Sequence, residues 1–232
     1  MSGPRLLDVR PTSIGGFDVT PKDVAPRDVT PILEHLRGGG LLAYPTETVY
    51  GFGGVPEDPV VRKLAALKGR RSGQPMLMLI PGREMVDDLI WTDEAVELAD
   101  VFWPGSVTLI LSDPEGRFPP GIRGATGAVA VRVSPHPLVK ALVDGLEGPL
   151  VSTSANQPGA SPALDAHHAM ESARALGAGE DFWVLDGGTL PVSLPSTVVD
   201  CSRAEPIVVR QGTIPLGRVR CVLPEIEAVS DE

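Results

Sequence analysis

The chain has 232 residues, enough for one large domain with a sizeable core. Hydrophobic residues make up 42% and aromatics only 4%, so the core is expected to be aliphatic and stacking-based capture of single-stranded nucleic acid is disfavoured. Twenty basic against 30 acidic residues leave a net charge of −10, which repels nucleic acid at long range while leaving room for a local basic groove.

Residues 1–27 hold Pro4, Pro11, Pro21 and Pro26 among scattered charges and read as an extended, partly disordered lead-in. Thr30 is a candidate N-cap with Pro31 at the first helical position, and Ile32, Leu33 and Leu36 give a helical apolar face that Gly38 to Gly40 terminates. The apolar run Leu41 to Ala43 is read as a buried strand, after which Tyr44-Pro45-Thr46-Glu47-Thr48-Val49-Tyr50-Gly51 turns the chain toward a helix. Packing alone does not call for so many hydroxyls in a row, and loops at strand ends commonly carry function. Asp58-Pro59 opens the next helix, with Val60, Val61, Leu64 and Leu67 at helical spacing. Met76 to Ile80 has strand length, and Thr92 caps a helix whose first turn carries Asp93 and Glu94. Strands are predicted at Val107 to Leu111, Ala128 to Val133, Leu150 to Ser152, Phe182 to Leu185, Thr197 to Val199 and Ile207 to Val209, with helices at Leu138 to Leu146 and Asp165 to Leu176. The alternation predicts a single-domain α/β fold, and the closely spaced strands near the C-terminus predict some antiparallel pairing, hence a mixed sheet.

The usual single-motif signatures are missing. There is no G-x-x-x-x-G-K-[ST] and no G-x-S-x-G, and the four histidines form no H-E-x-x-H. Cys201 and Cys221 lack metal-ligand spacing and are read as reduced thiols. The start Met-Ser-Gly-Pro-Arg has no apolar signal core, and no apolar run approaches the ~20 residues that span a bilayer, so the expected location is the cytoplasm.

Three clusters stand out as candidate chemistry. Lys68-Gly69-Arg70-Arg71 crowds cations at the end of a helix; this is either dipole compensation or an anion site, in which Arg offers a fork and Lys a point charge to phosphate. Its continuation Ser72-Gly73-Gln74-Pro75 is polar and suits a closing phosphate clamp. Ser152-Thr153-Ser154-Ala155-Asn156 follows a strand, where Ser and Asn either bond their own turn or meet a polar ligand. Arg132 stands in the apolar run Val129 to Val133; a buried cation needs an anionic partner, either a structural carboxylate or a substrate. Arg210 poses the same question beside Gln211-Gly212.

Taken in order, P-T-E-T-V-Y-G, K-x-R, W-P-G-x-x-T, V-A-V-R, S-A-N, S-T-V-V-D and V-R-Q-G resemble the YrdC-like family over about residues 30 to 214. The resemblance implies a twisted mixed α/β sheet with a large concave face spanning 28–217, followed by a short tail at 218–232, as in single-domain bacterial members. It implies L-threonylcarbamoyladenylate synthase activity: L-threonine, bicarbonate or CO2 and ATP give threonylcarbamoyl-AMP and pyrophosphate, for a tRNA threonylcarbamoyl-transfer complex. On that resemblance Lys68 and Arg70 are the catalytic, phosphate-contacting pair. Gln74, Ser154, Asn156, Ser161 and Arg210 complete the ATP site, and Thr48, Arg132, Ser152 and Ser196 hold threonine. Mg2+ is expected to arrive with ATP, since no carboxylate cluster forms an evident cage. The chain departs from the family pattern at Arg71, Leu79 and Pro195. An RNA-binding module, or action on another nucleotide substrate, are the alternative readings.

Overall fold

The computed structural model describes residues 3–10, 29–70 and 74–229. In chain order the elements are β1 (Arg5–Asp8), α1 (Thr30–Arg37), β2 (Leu41–Tyr44), β3 (Gly51–Gly54), α2 (Asp58–Leu67), β4 (Leu77–Leu79), a 3-10 turn (Arg83–Val86), α3 (Asp93–Phe102), β5 (Val107–Ser112), β6 (Ala128–Arg132), α4 (Pro137–Leu146), β7 (Leu150–Ser154), α5 (Ala166–Ala175), β8 (Phe182–Asp186), β9 (Thr197–Asp200), β10 (Ile207–Arg210), α6 (Leu216–Arg220) and β11 (Glu227–Ala228). The strands join in one mixed sheet of order β1-β8-β2-β3-β7-β4-β6-β5-β9-β10-β11. The expected antiparallel pairing near the C-terminus is present between β9 and β10, while β5 pairs β9 in parallel.

Every residue of β2 is buried, as a strand with neighbours on both sides and layers on both faces requires. It pairs in parallel with β8 and antiparallel with β3. Helices α2, α3 and α5 pack against β3, β5 and β8 respectively, and α1 packs on α4. The core is mostly aliphatic, but its largest fully buried side chains are Tyr44, Tyr50 and Phe52, all from the segment around β2 and β3.

That segment carries the main correction to the sequence reading. After Tyr50 the chain forms a strand, not a turn toward a helix. Gly51-Phe52-Gly53-Gly54 lacks the β-branched residues that mark strands, because its glycines serve close approach rather than propensity. A Cβ on Gly53 would stand 2.1 Å from the Val151 carbonyl oxygen and 2.9 Å from the Tyr44 ring. Only a bare backbone lets β3 lie between β2 and β7 with Tyr44 folded over it. A second correction concerns Thr30, which is the first residue inside α1; Val29 occupies the cap position. Thr92 does cap α3, its hydroxyl accepting from the Ala95 N–H at 3.2 Å.

The strand β1 falls within the stretch read as a lead-in and adds to β8 in parallel; residues 11–28 lie outside the described residues. At the other end, Val219 and Ile226 are buried in the core, so the described part of the tail is packed against the domain. No described helix is long and apolar enough to cross a membrane.

Candidate functional site

Strand parity builds the site. Ser152 on β7 faces Leu77 on β4, Leu77 faces Ala130 on β6, and Ala130 faces Ile110 on β5. These four side chains lie in one cross-strand row, and all four line a cleft of about 260 Å³ on that face of the sheet. Alternate residues point the other way: Met78, Val131, Leu109 and Val151 are at most 1% exposed and belong to the core. Two residues further along β6, Arg132 shares the parity of Ala130 and enters the cleft, as do Thr108 on β5, Val198 on β9 and Arg210 on β10. The loop between β2 and β3 supplies Thr46 and Thr48, and the segment before β9 supplies Pro195 and Ser196.

Among the described residues the cleft wall contains Arg70, Arg132 and Arg210 and no carboxylate. In a chain of net charge −10 this is a concentrated positive field. Burial lowers the pKa of Arg70, and burial followed by the Arg132 charge lowers that of Arg210. The Arg132 contribution to the Arg210 shift records two like charges sharing the cleft, whereas the Arg70 shift records burial alone.

Lys68 adjoins the cleft through Ser154. It is 5% exposed although it is a lysine at the C-terminal cap of α2. Its Nζ donates to the Ser154 carbonyl at 2.9 Å, to the Asn156 carbonyl, and to Asn156 Oδ1 at 2.7 Å. The same Oδ1 accepts from Ser154 Oγ at 2.7 Å. Burial, with the Arg70 charge adding to it, pushes the Lys68 amine down to about 8. Arg70 donates to Thr153 Oγ1 at 2.8 Å and to the Pro75 carbonyl at 2.9 Å. The K-x-R and S-x-N segments, more than 80 residues apart in sequence, are therefore in contact.

Elsewhere on the wall Thr108 Oγ1 and Ser196 Oγ are hydrogen-bonded at 2.8 Å, and Arg210 donates to the Ser196 carbonyl at 2.9 Å. Thr46 Oγ1 and Thr48 Oγ1 lie 3.1 Å apart. Arg132 is 4% exposed; its nearest carboxylate is Glu47, whose Oε1 stands 3.6 Å from Nε, and that Nε has no hydrogen-bond partner. A partly neutralised, buried arginine lining a cleft is placed to receive an anionic ligand group.

Of the residues singled out in the sequence, Thr48, Arg70, Arg132, Ser152, Ser154, Ser196 and Arg210 line the cleft, and Lys68 and Asn156 adjoin it through Ser154. Gln74 stands beside it, its carbonyl accepting from Arg70 at 3.2 Å. Ser161 is not brought in; it is exposed and lines a different hollow with Asp165, His168 and Thr189. Arg71, Ser72 and Gly73, the middle of the expected clamp, lie outside the described residues. Leu79 is fully buried, whereas Pro195 is part of the wall. Sequence reasoning missed Thr46, Thr108 and Thr153; the signal for Thr108 was a hydroxyl in the apolar strand Val107 to Leu111, closing W-P-G-x-x-T. Among the described residues no group of three or more His, Cys, Asp or Glu is placed to hold a metal ion.

Comparison with known proteins identifies the family. The family model Sua5_yciO_yrdC, described as "Telomere recombination", matches residues 34–212. A protein of Pyrococcus abyssi named threonylcarbamoyl-AMP synthase is 34% identical over 199 residues, covering 82% of this chain but 56% of its own length. A protein of the same name from Chromohalobacter salexigens is 38% identical over 173 residues, covering 73% of this chain and 90% of its own. The crystal structure of P. abyssi Sua5 complexed with L-threonine superposes with a TM-score of 0.82 at 30% identity, over 97% of this chain and 62% of that one.

Proposed function

This chain belongs to the Sua5/YciO/YrdC family, and from that premise we propose that it is a nucleotidyltransferase joining L-threonine, bicarbonate or CO2 and ATP into threonylcarbamoyl-AMP, with release of pyrophosphate. One observation carries the reading: an acidic protein has one cleft whose described wall holds three arginines, a set of hydroxyls and no carboxylate, with a buried lysine adjoining it through Ser154. Such a wall suits a ligand that is anionic at more than one place, as an amino-acid carboxylate beside a triphosphate is. Relatives carrying the synthase name, and an L-threonine complex of one of them, support it.

In this reading Arg132 meets the threonine carboxylate, while the hydroxyls of Thr48, Ser152 and Ser196 hold the rest of the amino acid. Threonine's ammonium gives up one proton to the hydroxide left when bicarbonate yields CO2, its nitrogen adds to the CO2 carbon, and the second proton leaves to solvent as the carbamate forms. A carbamate oxygen then attacks the α-phosphorus of ATP, and the bond from that phosphorus to the departing pyrophosphate oxygen breaks. Lys68 and Arg70 offset the charge that gathers on the leaving group, a task worth ~10²–10³ in rate for a well-placed donor. Ser154, Asn156 and Arg210 bind the nucleotide. The triphosphate must first take the place of Asn156 Oδ1 on Lys68 and of Thr153 Oγ1 on Arg70, or share those donors. Mg2+ carried on ATP would add charge neutralisation. Among the described residues no group of three or more His, Cys, Asp or Glu is placed to hold it, so such an ion would rely on phosphate oxygens and water for its ligands.

The adenylate would pass to a complex that modifies tRNA, in the cytoplasm. Incubation with ATP, bicarbonate and L-threonine, read by mass spectrometry for the adenylate and by pyrophosphate release, tests the proposal. Release that ignores L-threonine would point to another nucleotide reaction. RNA binding without any release would point to a binding module.

A further inference from the structure

We propose that Glu47 is a positioning residue that aims the Arg132 guanidinium at the carboxylate of the amino-acid substrate. The inference rests on the synthase reading and deepens its amino-acid half. Thr46 and Thr48 line the cleft, yet Glu47 between them does not. Its carboxylate turns behind the wall, where Oε1 stands 3.6 Å from Arg132 Nε. The ion pairs among the described residues give Arg132 no other carboxylate. Glu47 is itself fixed from two further directions: Ser106 Oγ, in the turn after α3, donates to Oε1 at 3.4 Å, and Ser134 Oγ, just past β6, donates to Oε2 at short range. The backbone N–H of His136 in turn donates to Ser134 Oγ at 3.2 Å.

The arrangement has a directional consequence. Glu47 stands on the Nε side of the guanidinium, and in this proposal the terminal nitrogens meet the substrate carboxylate. Without that contact the planar fork is free to rotate, and a carboxylate is read by a fork only when the two planes align. Misplacement of a substrate-holding group by about 1 Å can cost as much as ~100-fold. Because Glu47 shares its loop with Thr46 and Thr48, it also ties the hydroxyl edge of the cleft to the end of β6.

The test compares Glu47→Ala, Glu47→Gln and Ser134→Ala with wild type, measuring KM for L-threonine and for ATP separately and the L-threonine dissociation constant by calorimetry without ATP. The expected result is a rise of about tenfold or more in the threonine values for Glu47→Ala with the ATP KM within about twofold. Glu47→Gln keeps the reach of the side chain and an acceptor for Ser134 but not the charge that faces Arg132, so its threonine values should fall between wild type and Glu47→Ala. Ser134→Ala should raise only the threonine values, by about two- to fourfold. A threonine KM unchanged in Glu47→Ala overturns the proposal, as does an equal rise for both substrates, which a merely structural role would give. Glu47→Gln indistinguishable from wild type overturns it too, because the charge that faces Arg132 would then play no part. Should Glu47→Ala not fold, Ser134→Ala without any change in the threonine values refutes it. A wild-type protein that binds no L-threonine sinks the functional reading itself, whereas equal binding by wild type and Glu47→Ala sinks only the role of Glu47.

Discussion

Lys68→Ala separates a functional lysine from a structural one. The substitution removes a cation that is 5% exposed, three hydrogen bonds to Ser154 and Asn156, and a contact with the Phe52 ring at 5.6 Å. Each acceptor left without a donor costs ~1–3 kcal/mol when water is excluded. Here Ser154 and Asn156 are only half-buried, so water can replace the amine, and Asn156 Oδ1 keeps the Ser154 hydroxyl. Removing the lysine also removes the desolvation that lowers its pKa. The opposing terms leave a net loss of about 2 kcal/mol or less, which for a domain of this size moves Tm by ~4–8 °C. Transition-state charge has no comparable substitute, so threonine-dependent pyrophosphate release should fall by ~10²–10³. The assay pairs thermal melting with pyrophosphate release under saturating ATP and threonine. A variant that melts within the stated range yet turns over within tenfold of wild type would remove Lys68 from the mechanism. One that unfolds at assay temperature would show that the amine holds the fold.

The depressed Lys68 amine also sets a pH dependence. In the free protein it is charged below about 8 and neutral above, so kcat/KM for ATP should fall about tenfold per pH unit on the alkaline side of 8. Lys68→Arg, charged throughout, should abolish that limb; an unchanged limb refutes the assignment. For stability the sign is opposite. Between about 8 and 10.5 the unfolded chain holds a proton that folded Lys68 has lost, so this group's contribution to stability rises with pH across that window. Chemical denaturation of wild type against Lys68→Ala at pH 7 and 10 checks it. Gly53→Ala places a methyl group 2.1 Å from the Val151 carbonyl oxygen, where backbone must move; a loss of more than about 3 kcal/mol is expected, and a variant melting within 3 °C of wild type would contradict the packing described for β3.

Much of this molecule can be read along the chain. Alternating apolar runs and capped helices mark most elements, and the ends of α4, β7 and β10 shift from expectation by only a residue or two. The ordered motifs point to the family, and seven of the residues they single out line one cleft. What local sequence conceals has a physical cause in each case. Strand β3 is hidden because its glycines answer to Tyr44 and the Val151 carbonyl, groups far from it in spacing or known only once β7 lies alongside. Ser161 carries the right hydroxyl on a loop that faces another hollow. Net charge concealed a cationic cleft, since composition does not say where charges gather.

Residue pattern determined that the chain would make an aliphatic α/β sheet, and the family resemblance of its ordered motifs joined Lys68, Arg70, Ser154 and Asn156 in one expected site. Only the folded sheet decided that Ser152, Leu77, Ala130 and Ile110 form one row, that Arg132 joins that face while Val131 joins the core, and that Glu47 backs the arginine from outside the cleft. Hydrophobic periodicity fixes which residues of a strand share a face. Which strand lies next to it, and in what register, is fixed by burial and backbone pairing between segments far apart in the chain.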